Sequence, residues 1–262
     1  MTRVIAVANQ KGGVGKTTTA INLAAGIALS GHATLLVDID PQGNATSGVG
    51  LKQRATESGS VYDALMADDP ATAGRYVIPS GVERLSLMPA TRELTGAELE
   101  LISVPNRERR LKQFIDAVKD QYEFVVIDCP PSLGLLTLNG LVAADTVLIP
   151  LHCEYFALEG LADLVGTMRR VRAAYNPALE IEGVLLTMYD ERTNLGQQVA
   201  RDVREFFKDK VFRTVIPRNV RLGEAPSHGV PGVVYDARSR GAEAYFALAH
   251  EVITRGYDQS AA

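Results

Sequence analysis

Three observations predict an α/β fold with a mostly parallel, twisted sheet and helices on both faces. Apolar, β-branched runs alternate with amphipathic stretches along the 262 residues. Several runs are apolar at consecutive positions, as strands covered on both sides must be. The first run leads straight into a glycine- and lysine-rich turn that opens a helix. In such sheets the ligand lies at the carboxyl ends of the strands, so the chemistry is expected there.

The strands are predicted in order at Val4 to Ala8, Thr34 to Asp38, Leu85 to Met88, Phe124 to Asp128, Thr146 to Leu151, Val184 to Met188 and Val211 to Ile216. Helical spacing joins Leu161, Leu164, Val165, Met168 and Val171, and again Val199, Val203, Phe206 and Phe207, which are expected to face the core. Asn194 reads as the N-cap of the second of these helices. The stretch from Leu51 to Arg84 is the least regular; short helices near the site are expected there, with no function assigned.

Composition narrows the function classes. Hydrophobic residues make up 46% and charged residues 22%, ordinary values for a globular chain. No apolar run reaches 18 residues, so no membrane span is expected. The N-terminal apolar run is too short for a signal peptide. Cys129 and Cys153 are the only cysteines, too few for a four-ligand metal site; both are expected as small buried hydrophobes in a reducing, cytoplasmic setting. His32, His152, His228 and His250 show no metal-ligand spacing.

The strongest motif is Lys11-Gly12-Gly13-Val14-Gly15-Lys16-Thr17-Thr18 between the first strand and a helix from Thr19 to Leu29. Glycines let backbone N–H groups converge on phosphate oxygens, and the helix N-terminus adds partial positive charge. Lys16 is expected on the β and γ phosphates and the Thr17 hydroxyl on Mg²⁺. The usual P-loop has glycine where this chain has Gln10. Lys11, at the loop's start, cannot easily reach phosphates in its own loop; it can reach a nucleotide in a facing subunit.

Two apolar strands end in acids: Asp38 and Asp40 after Leu35-Leu36-Val37, and Asp128 after Phe124 to Ile127. Acids at the ends of buried strands are costly unless a cation is near; Mg²⁺ and two lysines would compensate all three. Farther on, residues 192–221 hold eight Arg or Lys against three Asp or Glu, a local +5, although the whole chain is −4. Arg201, Arg204 and Lys208 are expected on the solvent face of the helix whose other side carries Val199 and Val203, with Arg213, Arg218 and Arg221 beyond it. Arginine and lysine suffice for contact with a duplex backbone. No aromatic residues interleave as stacking platforms for single strands.

The KGGVGKTT form resembles the deviant Walker A motif of the ParA/MinD group of dimerising P-loop ATPases. The runs Asp190 to Gly196, Pro217 to Gly229 and Tyr235 to Tyr245 resemble the Soj-type, chromosome-encoded ParA proteins. The resemblance spans about residues 3 to 255 and implies a single ATPase domain over 1–262, without an N-terminal helix-turn-helix. It implies ATP and Mg²⁺ as cofactors, with two subunits sandwiching two ATP molecules. By resemblance, Lys11 senses the partner's γ-phosphate, Asp40 positions the attacking water and Asp128 holds Mg²⁺ through water. Pro217 to Asn219 would hold the adenine. Arg192 and Arg221, aided by Arg201, Arg204 and Arg218, would bind double-stranded DNA without sequence preference when the dimer forms. Asp38 would support the metal shell or the loop. The implied function is DNA partitioning for a chromosome or plasmid, with slow hydrolysis stimulated by a ParB-type partner, in a cytoplasmic, nucleoid-associated protein. The alternatives are a ParA-like positioner of a protein cargo and a MinD-like membrane-associated regulator. Gly256 is expected to interrupt the C-terminal segment, which counts against membrane docking.

Overall fold

A computed structural model describes residues 2–154 and 157–260, with side chains described as far as residue 255. The strands are β1 (Arg3–Val7), β2 (Thr34–Asp38), β3 (Ile78–Pro79), β4 (Leu85–Met88), β5 (Phe124–Asp128), β6 (Thr146–His152) and β7 (Glu180–Thr187). They form one sheet in the order β3-β4-β2-β5-β1-β6-β7, parallel except for the short β3–β4 pair. The helices are α1 (Lys16–Leu29), α2 (Asn44–Gly48), α3 (Lys52–Ser58), α4 (Val61–Met66), α5 (Leu94–Glu100), α6 (Arg110–Val118), α7 (Leu135–Ala143), α8 (Ala157–Ala174), α9 (Asn194–Phe207), α10 (Val220–Glu224), α11 (Gly232–Tyr235) and α12 (Arg240–Ser260).

Alternation along each strand builds two cores. Val4, Ala6, Leu35, Val37, Val125 and Ile127 pack on one face with residues of α4 to α8. Ile5, Val7, Leu36, Val126 and Leu148 pack on the other with residues of α1 and α12. This two-sided burial is why the strand sequences are apolar at consecutive positions. Asp38 and Asp128 share the α1 side by the same alternation, and they are direct register partners across β2 and β5. β5 lies between β2 and β1, so both acids meet the loop that leaves β1.

The structure corrects several expectations. Val211 to Ile216 is not a strand. Only isolated bridges join Val211 to Val184 and Pro217 to Tyr189. The Phe212 and Ile216 N–H groups donate to β7, but those of Arg213 and Thr214 donate to the Glu251 carboxylate at 2.9 and 3.0 Å. That carboxylate takes the donors a ladder would need. β7 begins at Glu180 and ends at Thr187, before Met188 at φ 48° turns the chain. β3 is a two-residue strand that no periodicity could reveal. Thr193, not Asn194, caps α9, its hydroxyl accepting from the Gly196 N–H. Phe206 is 75% exposed and not in the core, while Val199 and Val203 are buried. Lys208 lies past the end of α9 at positive φ, so it does not extend the helical face. α12 continues through Gly256. The Leu51 to Arg84 stretch does hold two short helices, α3 and α4, and both cysteines are buried.

Candidate nucleotide site and basic face

The loop after β1 carries its glycines where the backbone demands them. Gly15 caps α1 at φ 85° and Gly13 sits at φ 73°, a left-handed region that a Cβ disfavours. Gly12 and Gly13 are exposed at the mouth and Val14 is buried beneath them. The loop is tied to the sheet by neutral hydrogen bonds. The Thr187 hydroxyl donates to the Val14 carbonyl at 2.8 Å. Asn9 donates to the Pro150 carbonyl at 2.7 Å and accepts from the Lys11 N–H at 3.0 Å. Neither Thr187 nor Asn9 was marked by sequence, because their partners lie 173 and 141 residues away or are backbone atoms.

The two loop lysines occupy different environments. Lys16 is 7% exposed, and its ammonium donates to the Lys11 carbonyl at 2.9 Å. Burial lowers its pKa, opposed by the nearby charges of Asp128 and Asp40. Lys11 points outward, with Nζ 2.6 Å from Glu154 Oε2 beyond the end of β6. Glu154 also meets His152 Nδ1 at 2.9 Å, and its carboxyl is held below the ordinary range, first by the Lys11 hydrogen bond and with a contribution from Arg218. Thr17 and Thr18 are half-buried in the first turn of α1.

The three acids differ sharply. Asp128 is fully buried, and neither carboxylate oxygen makes a hydrogen bond. Burial pushes its pKa well above the carboxylate range; the Asp38 charge adds to this, while Thr17 and Lys16 oppose it. Such an orphaned buried acid is expensive without a cation. Asp38 is equally buried but fully engaged. It accepts from the Thr46 N–H and hydroxyl at 2.7 Å each and from the Asp40 N–H at 3.2 Å. Burial raises it to about 6 against those hydrogen bonds. The Thr46 hydroxyl accepts in turn from the Ala90 N–H at 2.9 Å, so Asp38 fastens α2 and the exit of β4 to the sheet. Asp40, 7% exposed, accepts from the Gln42 N–H at 3.0 Å. Gly43 makes the bend that leads from Asp40 into α2 at φ 60°, where a Cβ would lie 3.3 Å from the Ala90 carbonyl.

The basic residues flank the same end of the sheet. Arg192 follows β7, and Arg201 and Arg204 are exposed on α9. Burial pushes the Cys153 thiol up to about 11, and Arg204 lies close enough to oppose that rise. Arg218 and Arg221 are exposed in and after the segment that follows Ile216. In that segment Pro217 bridges to Tyr189, and Asn219 caps α10, its side-chain oxygen accepting from the Arg221 N–H at 2.8 Å. The structure thus brings the loop, Asp40 and Asp128 together around Lys16. Arg218 lies beside the Glu154 that holds Lys11. No helix among the described residues is long and apolar enough to cross a membrane.

Comparison with known proteins agrees with this arrangement. A family model described as an AAA domain matches residues 2–181. The sporulation initiation inhibitor protein Soj of Bacillus subtilis is 57% identical over 98% of this chain and 100% of its own. The chromosome partitioning protein ParA of Myxococcus xanthus is 52% identical over 98% of this chain and 90% of its own. A solved structure of cobyrinic acid a,c-diamide synthase from Mycobacterium smegmatis, with bound ADP and magnesium, superposes with a TM-score of 0.83 at 37% identity. It covers 99% of this chain and 97% of that one. With more than half of its residues identical to Soj and ParA over nearly its full length, the chain belongs to the ParA/Soj family of ATPases.

Proposed function

We propose that this chain is a DNA-partitioning ATPase whose Mg-ATP form is a sandwich dimer that grips duplex DNA. A ParB-type partner stimulates hydrolysis and resets it. The observation that carries this reading is the division between the two loop lysines: Lys16 faces inward among Asp40 and Asp128, and Lys11 faces outward. An inward lysine serves the nucleotide of its own subunit. An outward one, here held by Glu154, would on release serve a second subunit, in the manner of an arginine finger.

Gly12 to Thr18 would cradle the phosphates with Lys16, and Pro217 and Asn219 would flank the base. The orphaned Asp128 carboxylate fits a divalent cation, held by the Thr17 hydroxyl and by Asp128 through water. Bound Mg²⁺ would supply charge neutralisation for the phosphates. Asp40 is the residue proposed to position the attacking water, and Lys11 to stabilise charge across the interface. Arg192, Arg201, Arg204, Arg218 and Arg221 would form the DNA face, which dimerisation doubles on the nucleoid. Relatives at 50–52% identity that bear partitioning names favour this reading. The synthase name belongs to a less similar protein, at 37%.

The test is binding to random-sequence duplex DNA with Mg-ATP, with Mg-ADP and without nucleotide, over a salt series. Binding only with Mg-ATP, indifferent to sequence and weakening steeply with salt, is expected. Equal binding in all three states, or none in any, overturns the nucleotide-gated reading.

A further inference from the structure

Two arginines on the basic face already hold carboxylates of their own chain. Arg192 grips Asp190 with a two-pronged fork, Nε to Oδ1 at 2.8 Å and Nη2 to Oδ2 at 2.7 Å. A guanidinium grips a phosphate with the same geometry. Asp190 Oδ1 also accepts from the Arg192 backbone N–H at 3.0 Å, so the pair is built into the turn between β7 and α9. The Arg192 side chain is 85% exposed, open to a ligand from solvent. Arg221 is held in a related way, by Glu224 at 2.9 Å and Asp236 at 3.4 Å. Arg201, Arg204 and Arg218 make no ion pair among the described residues.

We propose that Asp190 is an intramolecular competitor of the DNA phosphate: it fills the Arg192 fork and so sets how tightly the basic face holds DNA. The proposal rests on the reading that Arg192 contacts DNA. With Asp190 in place, the pair carries no net charge, and a phosphate must displace a carboxylate tethered two residues away. The Arg192 hydrogen bonds hold the Asp190 carboxyl well below the ordinary range, so the competitor is charged wherever DNA binding is measured. A face weakened in this way favours engagement of two patches at once over one, because each patch alone carries less effective charge. That is the behaviour required of a surface meant to grip only as a dimer.

Asp190→Asn tests this without disturbing the turn, because an amide oxygen can still accept from the Arg192 N–H. It opens the fork and adds one positive charge per protomer. Binding of the Mg-ATP form to random duplex DNA is measured from 50 to 200 mM salt. Each additional phosphate neutralised adds about 0.9 to the steepness of the log–log salt dependence. The variant is therefore expected to bind more tightly at the low-salt end, by about threefold or more for each such phosphate, with a slope steeper by up to about two for a dimer. Adding Arg192→Gln to Asp190→Asn should abolish the improvement. Asp190→Ser, which also keeps a hydroxyl acceptor, is the second variant should the first melt early. If both variants bind with wild-type affinity and slope while Arg192→Glu loses DNA, the competitor role is overturned and the DNA reading survives. If Arg192→Glu itself keeps wild-type binding, the reading beneath the proposal fails and the proposal falls with it.

Discussion

The nucleotide end and the basic face handle charge in opposite ways. Asp38 and Asp128 are completely buried at the carboxyl ends of β2 and β5. Neighbouring strands put them in register on one face, and their burial raises both pKa values. On the basic face, Arg192 and Arg221 stand in solvent, and each finds a carboxylate nearby. Inside, the sheet dictates where charges go, and an unmatched acid stands where the proposed cation would complete it. Outside, flexible side chains neutralise one another until a ligand competes. The interior is pre-organised and strained in charge; the surface is relaxed and waits.

The comparison is broken most severely by removing the buried cation of the nucleotide end. Lys16→Ala deletes the ammonium that faces both Asp40 and Asp128. Nucleotide phosphates would then meet two acids with no lysine between. ATP affinity is expected to fall by more than about a hundredfold, as for loss of a preorganised charge in a water-poor site. Titration with a fluorescent ATP analogue reads this directly; an affinity within threefold of wild type would mean that Lys16 does not face the phosphates. Arg192→Glu, by contrast, is expected to leave nucleotide affinity unchanged.

A second change sharpens the contrast by relieving the interior strain. Asp128→Asn removes a buried charge that has no hydrogen-bond partner and that Asp38 repels. In the absence of metal, the variant is expected to be more stable than wild type at neutral pH, by roughly 1–3 kcal/mol. The sign of the pH dependence follows from linkage. Raising a carboxyl's pKa on folding means that the native state binds the proton more tightly. Wild-type stability therefore falls as pH rises through that raised value. The variant's advantage should be largest at high pH and should close as the solution is acidified. Denaturant melts in EDTA at several pH values measure the gap. A wild type more stable than the variant at pH 8 would show that Asp128 already has a partner. With Mg-ATP present, the order should invert.

The two regions were not equally legible in the sequence. β2, β4 and β5 fall within the predicted bounds, and β1 and β6 differ by a residue at their ends. Runs buried on both faces leave an unmistakable apolar signature. The loop and the strand-end acids were readable for a related reason: strand, loop and helix are consecutive, so local spacing fixes their geometry. What tightens the site is not local. Asp38 was legible as a strand-end acid, but its clasp on Thr46, and through Thr46 on Ala90, links separate segments. The Val211 to Ile216 error has the same origin. Its residues suit a strand, but Glu251 on α12 takes two of the backbone donors. On the basic face, periodicity identified the exposed arginines yet placed Phe206 in the core. Near a helix end, a residue on the edge of the apolar stripe can have nothing left to cover it.

The gentlest test concerns the hydrogen bonds that hold the interior ready. Thr187 sits at the last position of β7, fully enclosed, with its hydroxyl on the Val14 carbonyl at 2.8 Å. Its methyl side lies 3.9 Å from the position a Cβ would take on Gly15, so it supports the loop by both packing and hydrogen bonding. Thr187→Val keeps the shape and loses only the donor, leaving the Val14 carbonyl without this partner. About 1–2 kcal/mol of stability should go, and ATP affinity should weaken only a few-fold, because the loop's amides lose fixed direction and no charge is removed. Thr187→Ser is expected to recover most of the nucleotide affinity while losing the methyl packing. That split separates a loop held by its hydrogen bond from one held by bulk. If serine were the more damaging change, packing would be the agent. Neither substitution removes a charge from the basic face, so neither should alter the intrinsic affinity of the proposed ATP dimer for DNA.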